Sequence, residues 1–109
     1  MAIHHALSGE LIDVRPLGGK LAATTTRTLY KSEHLEVFRM ILPAGKAMPA
    51  HRVDGEVTVQ CLEGCIAFTA DKVQTMRAGD LVCLAGGVLH ALEAIEDASV
   101  LVTVLLHGA

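Results

Sequence analysis

Short apolar runs separated by turn signals make up most of the chain. The turn signals are glycines or short polar pairs, at Gly18-Gly19, Ala44-Gly45, Gly64, Asp71-Lys72, Gly79, Gly86-Gly87 and Glu96-Asp97. The runs between them are rich in β-branched and aliphatic residues, at 10–14, 21–30, 35–42, 51–62, 65–70, 73–77, 80–84, 90–95 and 99–106. No segment keeps a helical period for more than about two turns. This pattern predicts an all-β fold, either a sandwich or a small barrel.

The run SVLVTVLL at 99–106 is apolar in both of its alternating sets, apart from Ser99 and Thr103. A strand that is apolar on both faces has to be covered on both. A sandwich of this size covers only the inner face, so the outer face needs a second cover. We expect a homodimer in which sheet edges or an N-terminal arm, residues 1–20, pack across a two-fold axis. The alternative is that the chain's own N-terminal strands supply the cover.

The composition is that of one globular domain over residues 1–109. Hydrophobic residues make up 51% of the chain and charged residues 19%, which argues against disorder. No apolar run reaches the roughly 18 residues that a membrane span needs. The N-terminal sequence MAIHHALSGELID lacks a basic segment followed by an apolar one, so no secretory signal is predicted. We therefore expect a cytoplasmic protein without a membrane partner.

Charge and aromatic content argue against nucleic acid as a partner. The net charge is −3, and the aromatic residues are Tyr30, Phe38 and Phe68. A nucleic-acid surface needs a basic stripe for phosphates or aromatic platforms for bases. The chain offers neither of them.

The cysteines predict buried thiols and no disulfide framework. There are three, Cys61, Cys65 and Cys83, and an odd number in a short intracellular chain does not form such a framework. Cys61 and Cys65 flank a Glu63-Gly64 turn, at a spacing that is not that of a zinc-finger pair. Small core residues are the favoured interpretation.

Two histidines lie in glycine-bounded segments whose spacing is specific. GKAMPAHRVDGEVTVQCLEG, residues 45–64, contains His51, and AGDLVCLAGGVLHALEA, residues 78–94, contains His90. On these segments the chain resembles a small single-domain cupin of the RmlC-like, conserved-barrel type. Gly45, His51 and Gly64 match the first cupin motif, and the second is matched by Gly79, Gly87 and His90. The resemblance implies a double-stranded β-helix, that is, a jelly-roll barrel.

The same resemblance implies a metal site that this sequence does not complete. Cupins usually hold a metal with two histidines and a carboxylate or glutamine of the first motif, and with the histidine of the second. Those positions are His51, Val53, Val57 and His90 here, and valine has no lone pair to give. A divalent metal (Fe, Zn, Ni or Mn) bound by His51 and His90 would need a third donor. Asp54 and Cys61 are the residues considered for that role. We therefore expect that the protein does not need a tightly held metal cofactor.

The resemblance also implies a barrel mouth that is mostly apolar. The residues expected to line it are Met48, His51, Val53, Val57, Val59, Cys61, His90 and Leu92, with some of Val102, Val104 and Leu106. An apolar concavity with two convergent polar groups is typical of a small-molecule site. Because stacking aromatics are absent, the ligand is expected to be small and either aliphatic or carboxylate-bearing.

Two functions remain open at this point. The favoured one is a binding module in which His51 and His90 hydrogen-bond a small molecule. The alternative is a metal-dependent or metal-free cupin enzyme of the dioxygenase, isomerase or epimerase type. In that enzyme either histidine would transfer a proton, with Asp54 or Tyr30 as its partner. For each histidine alone, an ordinary loop-capping or core role is the alternative, but the presence of both at motif positions favours a shared pocket.

Overall fold

The computed structural model describes residues 5–106, and they form an all-β chain. A short 3₁₀ helix at Gly18–Ala23 precedes the strands. The strands are β1 (Arg27–Lys31), β2 (Leu35–Leu42), β3 (Ala47–His51), β4 (Val57–Glu63), β5 (Cys65–Thr69), β6 (Val73–Arg77), β7 (Leu81–Leu84), β8 (His90–Ala94) and β9 (Ala98–Leu105). The all-β prediction is confirmed. Residues 5–106 contain no helix that is long and apolar enough to cross a membrane.

The strands form two antiparallel sheets that share one core. The first has the order β1-β2-β9-β4-β7 and the second β3-β8-β5-β6. Both sheets contribute side chains to one buried cluster, which includes Val59 and Val100 from the first sheet and Ile66 and Phe68 from the second. Because sequential strands are often in different sheets, most of the core is held by contacts between distant parts of the chain.

The register of the first sheet sets which side chains face the second. Phe38 of β2, Val102 of β9 and Val59 of β4 are paired across three neighbouring strands. Directly paired residues point to the same face, so these side chains form one inward row. Glu36, Val104 and Val57 form the next row toward one end, and Met40, Val100 and Cys61 the next toward the other.

The opposite, outer face of this sheet carries a buried polar cluster. Arg39 of β2 donates from Nη2 to Glu63 Oε2 at 2.9 Å and to Ser99 Oγ at 3.0 Å, and Ser99 Oγ donates to Glu63 Oε2 at 2.6 Å. The segment before β1 closes over this cluster. The backbone N–H groups of Leu17 and Gly18 donate to the Glu63 carboxylate, each at 3.0 Å. The Arg15 carbonyl accepts from Arg39 Nη2 at 2.8 Å.

This segment covers one end of the outer face from within the chain. At the other end, Val37 is half-buried and Leu105 is exposed. At the first end the chain therefore covers itself, as in the alternative prediction. It does so with irregular segments and a 3₁₀ helix, where N-terminal strands were predicted. The predicted homodimer concerns the second end and stays a prediction.

The strand prediction was wrong at the N-terminus. Residues 10–14 form no strand, and within 21–30 the strand begins only at Arg27, as part of β1 (Arg27–Lys31). The threonines before β1 bond to the backbone locally or to a neighbouring strand, which competes with the formation of a ladder. Thr24 Oγ1 donates to the Lys20 carbonyl at 2.7 Å, and Thr26 Oγ1 accepts from the Ile41 N–H at 2.8 Å.

The run at 51–62 was predicted as one strand but is divided in the structure. β3 ends at His51, a loop spans 52–56, and β4 begins at Val57. The loop lies so close to the end of β9 that a Cβ added to Gly55 would overlap the Leu105 carbonyl oxygen, at 1.8 Å. β3 itself was missed because it contains Pro49 and is almost wholly exposed. It lies at the edge of its sheet, where proline is tolerated.

Candidate functional site

A cavity of about 290 Å³ lies between the two sheets. Its walls come from five strands, β2, β4 and β9 of the first sheet and β3 and β8 of the second, and from the loop before β4. The lining residues are Glu36, Phe38, Met40, Met48, His51, Val53, Val57, Val59, His90, Leu92, Val102, Val104 and Leu106. Three of these side chains are ionisable, and the remaining ones are apolar. The cavity therefore combines a large apolar wall with a few polar groups, as small-molecule sites do.

The predicted pocket residues meet in this cavity with one exception, Cys61. Met48, His51, Val53, Val57, Val59, His90 and Leu92 all line it. Cys61 was placed in the pocket by strand alternation, which gives the face of a strand but not the depth. It lies one row further into the core and is fully buried. Its Sγ donates to the carbonyl oxygens of Glu63 at 3.5 Å and Gly64 at 3.8 Å. Burial raises the pKa of the Cys61 thiol, which further disfavours the thiolate that a metal would need.

The two histidines are direct neighbours across β3 and β8. His51 is paired with His90 in the strand register, and their ring centroids are 4.5 Å apart with the planes inclined at 52°. The Nδ1 of His90 is 2.9 Å from the Val88 carbonyl oxygen, and that of His51 is 3.4 Å from the Pro49 carbonyl oxygen. A carbonyl oxygen only accepts, so Nδ1 carries the proton in each ring. In the neutral form this leaves each Nε2 as an acceptor.

His90 is held more firmly than His51. It is only 5% exposed, and the ring of Phe68 from β5 stacks on it with centroids 6.1 Å apart and planes inclined at 22°. His51 is exposed and has only the longer bond to Pro49. No side-chain nitrogen or oxygen of the described residues is both fully shielded and unpartnered. The Nε2 of His90, which has no partner within 5–106, is therefore accessible, and the accessible space that His90 lines is the cavity.

Glu36 is a polar residue of the cavity that the sequence analysis did not assign to the site. It lies on β2, and its Oε2 accepts a hydrogen bond from Thr28 Oγ1 at 2.8 Å. The signal was present in LEVFRMIL, residues 35–42. There Glu36 belongs to the same alternating set as Phe38 and Met40. A single carboxylate within an apolar set marks an inward-facing polar group.

Comparison with solved structures identifies the fold. A conserved Streptococcus pyogenes protein of unknown function matches over 100% of both chains at 23% identity, with a TM-score of 0.75. A cupin superfamily protein of Desulfitobacterium hafniense matches over 88% of this chain and 94% of its own at 16% identity, with a TM-score of 0.74. An RmlC-like cupin of Methanocaldococcus jannaschii with a double-stranded β-helix matches over 91% and 94% at 19% identity, with a TM-score of 0.72. The chain has the cupin fold.

The double-stranded β-helix predicted from the two histidine motifs is thereby confirmed. No family model matches the sequence, and no protein of curated function matches it either. At identities below 25%, the likeness is one of fold. What this chain binds or does has to be argued from its own cavity.

The residues of this chain do not fit the metal that the cupin fold implies. The cavity supplies two imidazoles and the Glu36 carboxylate, which the Thr28 hydroxyl holds at β2, while Val53 and Val57 lie beside the imidazoles without a donor atom. Of the candidate third donors, Asp54 lies in an exposed loop, and neither Asp54 nor Cys61 lines the cavity. Residues 5–106 contain no group of three or more His, Cys, Asp or Glu side chains that could hold a metal ion. Tyr30, the other candidate partner for a catalytic histidine, also lies outside the cavity lining.

Proposed function

We propose that this cupin binds a small, largely apolar molecule that carries a hydrogen-bond donor, and that it does so without a tightly held metal. The observation that carries the proposal is the lining of the cavity. Its apolar wall surrounds only three polar groups, Glu36, His51 and His90. On this proposal the first cupin motif is a degenerate metal site, in which Val53 and Val57 extend the apolar wall.

The polar groups of the cavity are acceptors, and this sets the class of ligand. An ionised carboxylate only accepts, and each neutral imidazole has its Nδ1 proton directed at a backbone carbonyl. The Thr28 hydroxyl, which bonds to Glu36, is already used as a donor. An alcohol or an amine supplies the donor that these groups lack. A carboxylate-bearing ligand, which the sequence alone left open, would meet Glu36 as a like charge.

A metal-free isomerase or epimerase is the second candidate. It is favoured by one observation, namely that Glu36 and both imidazoles line the same cavity. An accessible neutral Nε2 can take a proton from a bound substrate, with the carboxylate as the second proton-transfer group. Binding is the preferred function because it requires only the contacts that the structure contains. Conversion of a bound alcohol or amine by the purified protein would favour the enzyme over the binding function.

Matched fragments test the proposed ligand class. Hexan-1-ol, hexylamine and hexanoate share one chain length and differ in the polar group. We expect the alcohol and the amine to bind with a Kd of about 1 mM, equivalent to about 4 kcal/mol. Divided by the number of non-hydrogen atoms in such a fragment, this binding free energy is within the range found for small ligands. Hexanoate is expected to bind at least about tenfold weaker because of repulsion by Glu36. Isothermal titration calorimetry or ligand-observed NMR measures all three.

The control for this experiment separates two ways of failing. Glu36→Gln should remove most of the discrimination between hexylamine and hexanoate, whereas Glu33→Gln, which alters an exposed side chain outside the cavity, should leave it unchanged. If none of the fragments binds, the cavity is not a small-molecule site. If hexanoate binds as tightly as the amine, the cavity binds small molecules, but the acceptor argument is wrong.

We also propose that the cupin assembles as a homodimer through its N-terminal arm. Within the described part of the arm, the Ala6 N–H donates to the Leu29 carbonyl on β1 at 2.7 Å, and β1 is an edge of the first sheet. Leu7 is 72% exposed and Leu11 97% exposed on this arm. Leucines exposed beside a sheet edge are stabilised when a second copy covers them.

The mass in solution tests the dimer. Light scattering at micromolar concentration should give twice the mass of one chain. The double substitution Leu7→Glu and Leu11→Glu should give a monomer that keeps its β-sheet circular dichroism spectrum. Leu81→Glu, at a 58% exposed position on the edge strand β7, should remain dimeric. A monomer mass for the unaltered protein contradicts the proposal.

A cytoplasmic location stays a prediction from composition.

A further inference from the structure

A second cavity, of about 250 Å³, lies under the segment that precedes β1. Its lining residues are Asp13, Arg15, Pro16, Leu17, Lys20, Thr24, Thr25, Arg27, Leu29 and Arg39. None of these lines the cavity between the sheets. We call it the outer cavity. It is polar where the first cavity is apolar, so the two suit different ligands.

Positive charge is concentrated in the outer cavity. Arg15, Lys20, Arg27 and Arg39 line it, although the whole chain has a net charge of −3. The one acidic lining residue, Asp13, pairs with Arg15 at 3.2 Å. Arg39 is neutralised by Glu63, which lies outside the lining. In the described part of the chain, the side chains of Lys20 and Arg27 have no hydrogen bond or ion pair, so two positive charges remain unmatched.

Arg39 supplies a fixed donor group to this cavity. The residue is only 5% exposed, and its Nη2 and Nε atoms are bonded to Glu63, Ser99 and the Arg15 carbonyl. Its Nη1 has no partner within residues 5–106. Since no described side-chain nitrogen is both fully shielded and unpartnered, Nη1 is accessible. The accessible space that Arg39 lines is the outer cavity, so a guanidinium held rigidly from one side presents its other edge there.

We propose that the outer cavity binds a small oxyanion, the phosphate or carboxylate group of a metabolite. The Nη1 group of Arg39 donates to an oxygen of either group, and Lys20 and Arg27 supply the charge that Glu63 removes from Arg39. Thr25 lines the same space, and its hydroxyl has no partner among the described residues, so it is free to donate. The site depends on neither the cavity between the sheets nor its histidines.

Titration with inorganic phosphate tests the proposal on the intact protein. Phosphate is added at constant ionic strength, with chloride as the balancing salt, and the melting temperature and calorimetric heat are followed. A parallel titration uses succinate. We expect at least one of the two anions to bind saturably and to raise the melting temperature relative to chloride. If only phosphate or only succinate binds, the result also identifies which anionic group the site prefers.

Two double variants of equal charge locate the site. Lys20→Ala with Arg27→Ala should weaken the binding of the anion by at least about tenfold. Lys72→Ala with Arg77→Ala removes two exposed charges outside both cavities and should leave the affinity within about twofold. Both pairs are exposed, so the fold should survive in each. Anion effects equal to those of chloride, or equal weakening in the two double variants, overturn the proposal.

Discussion

Replacing Glu63 with alanine is expected to lower the free energy of unfolding by about 3–5 kcal/mol, the usual cost of leaving one partner of a buried ion pair uncompensated. The Glu63 carboxylate accepts from the Ser99 hydroxyl, from Arg39 Nη2 and from the N–H groups of Leu17 and Gly18. Its loss leaves the buried Arg39 without a counter-charge and releases the segment before β1. Since a domain of this kind is stabilised by about 5–15 kcal/mol in total, much of the stability depends on this side chain.

Urea denaturation measures this loss, with two further substitutions for comparison. Glu63→Gln keeps the shape and one acceptor but loses the charge, so it should fall between the parent and the alanine variant. Glu33→Ala removes an exposed carboxylate and should change stability by less than about 0.5 kcal/mol. An alanine variant at position 63 as stable as Glu33→Ala would mean that the buried ion pair is not formed in solution.

The same carboxyl predicts the response to acid. Desolvation by burial raises the pKa of Glu63, but hydrogen bonds from Ser99, Leu17, Gly18 and Arg39 outweigh it, and the net pKa is lowered from its ordinary value of 4.5. A group whose pKa is lower in the folded state stabilises the fold above its unfolded pKa. This contribution is lost as the pH falls below about 4.5. The urea midpoint of the parent should therefore fall in this range more steeply than that of Glu63→Gln.

The turns and the fold class could be predicted because they rest on local backbone requirements. Gly45, Gly64, Gly79 and Gly87 all have positive φ angles, between 82° and 96°, which other residues rarely adopt. At Gly64 there is also no room, since an added Cβ would lie 2.1 Å from the Asp97 carbonyl oxygen. Because only glycine meets these requirements readily, the turns can be recognised in the sequence. The alternation of apolar residues between the turns can be recognised in the same way and predicts strands.

The errors arose where distant residues decide the local structure. Arg39, Glu63 and Ser99 are far apart in the chain, so nothing near any one of them indicates the cluster that fixes the N-terminal segment. The extended threonines before β1 fit a strand by propensity alone, but β-propensity depends strongly on neighbouring strands. The register of β2, β9 and β4 is equally non-local, and it decides that Cys61 lies too deep to reach the cavity.

The cavity between the sheets was predicted in part for the same reason. His51 and His90 carry their own spacing signal, and Val53 and Val57 follow from the motif around His51. Glu36 is on a strand that neither motif includes, so its approach to the cavity depends on the pairing of β2 with β9. On our proposal, Glu36 removes the carboxylate-bearing ligand from the two kinds that the sequence left open, aliphatic or carboxylate-bearing, and adds the requirement for a hydrogen-bond donor.

Restoring the two missing donors is expected to create a metal site. In the double variant Val53→His and Val57→Glu, three imidazoles and two carboxylates, counting Glu36, would line the cavity, a donor set that suits zinc, iron or nickel. Loss of a single outer contact around a metal ligand costs about 10–100-fold in affinity. Two new direct ligands should therefore tighten binding of Zn²⁺ by more than about 100-fold relative to the parent. Calorimetric titration with Zn²⁺ measures the change.

Stability gives an independent measure of the same site. Val57 is buried, so the new carboxylate should destabilise the variant without metal. Zn²⁺ at about 100 times its Kd should raise the free energy of unfolding of the variant by about 2.7 kcal/mol by mass action. A chelator should remove that gain. Each single variant should bind more weakly than the double one. Val73→His with Ile95→Glu, which adds the same residue types at exposed positions, should bind no more tightly than the parent. If the double variant gains no affinity, His51 and His90 do not converge with positions 53 and 57, and the assignment of the first motif is wrong.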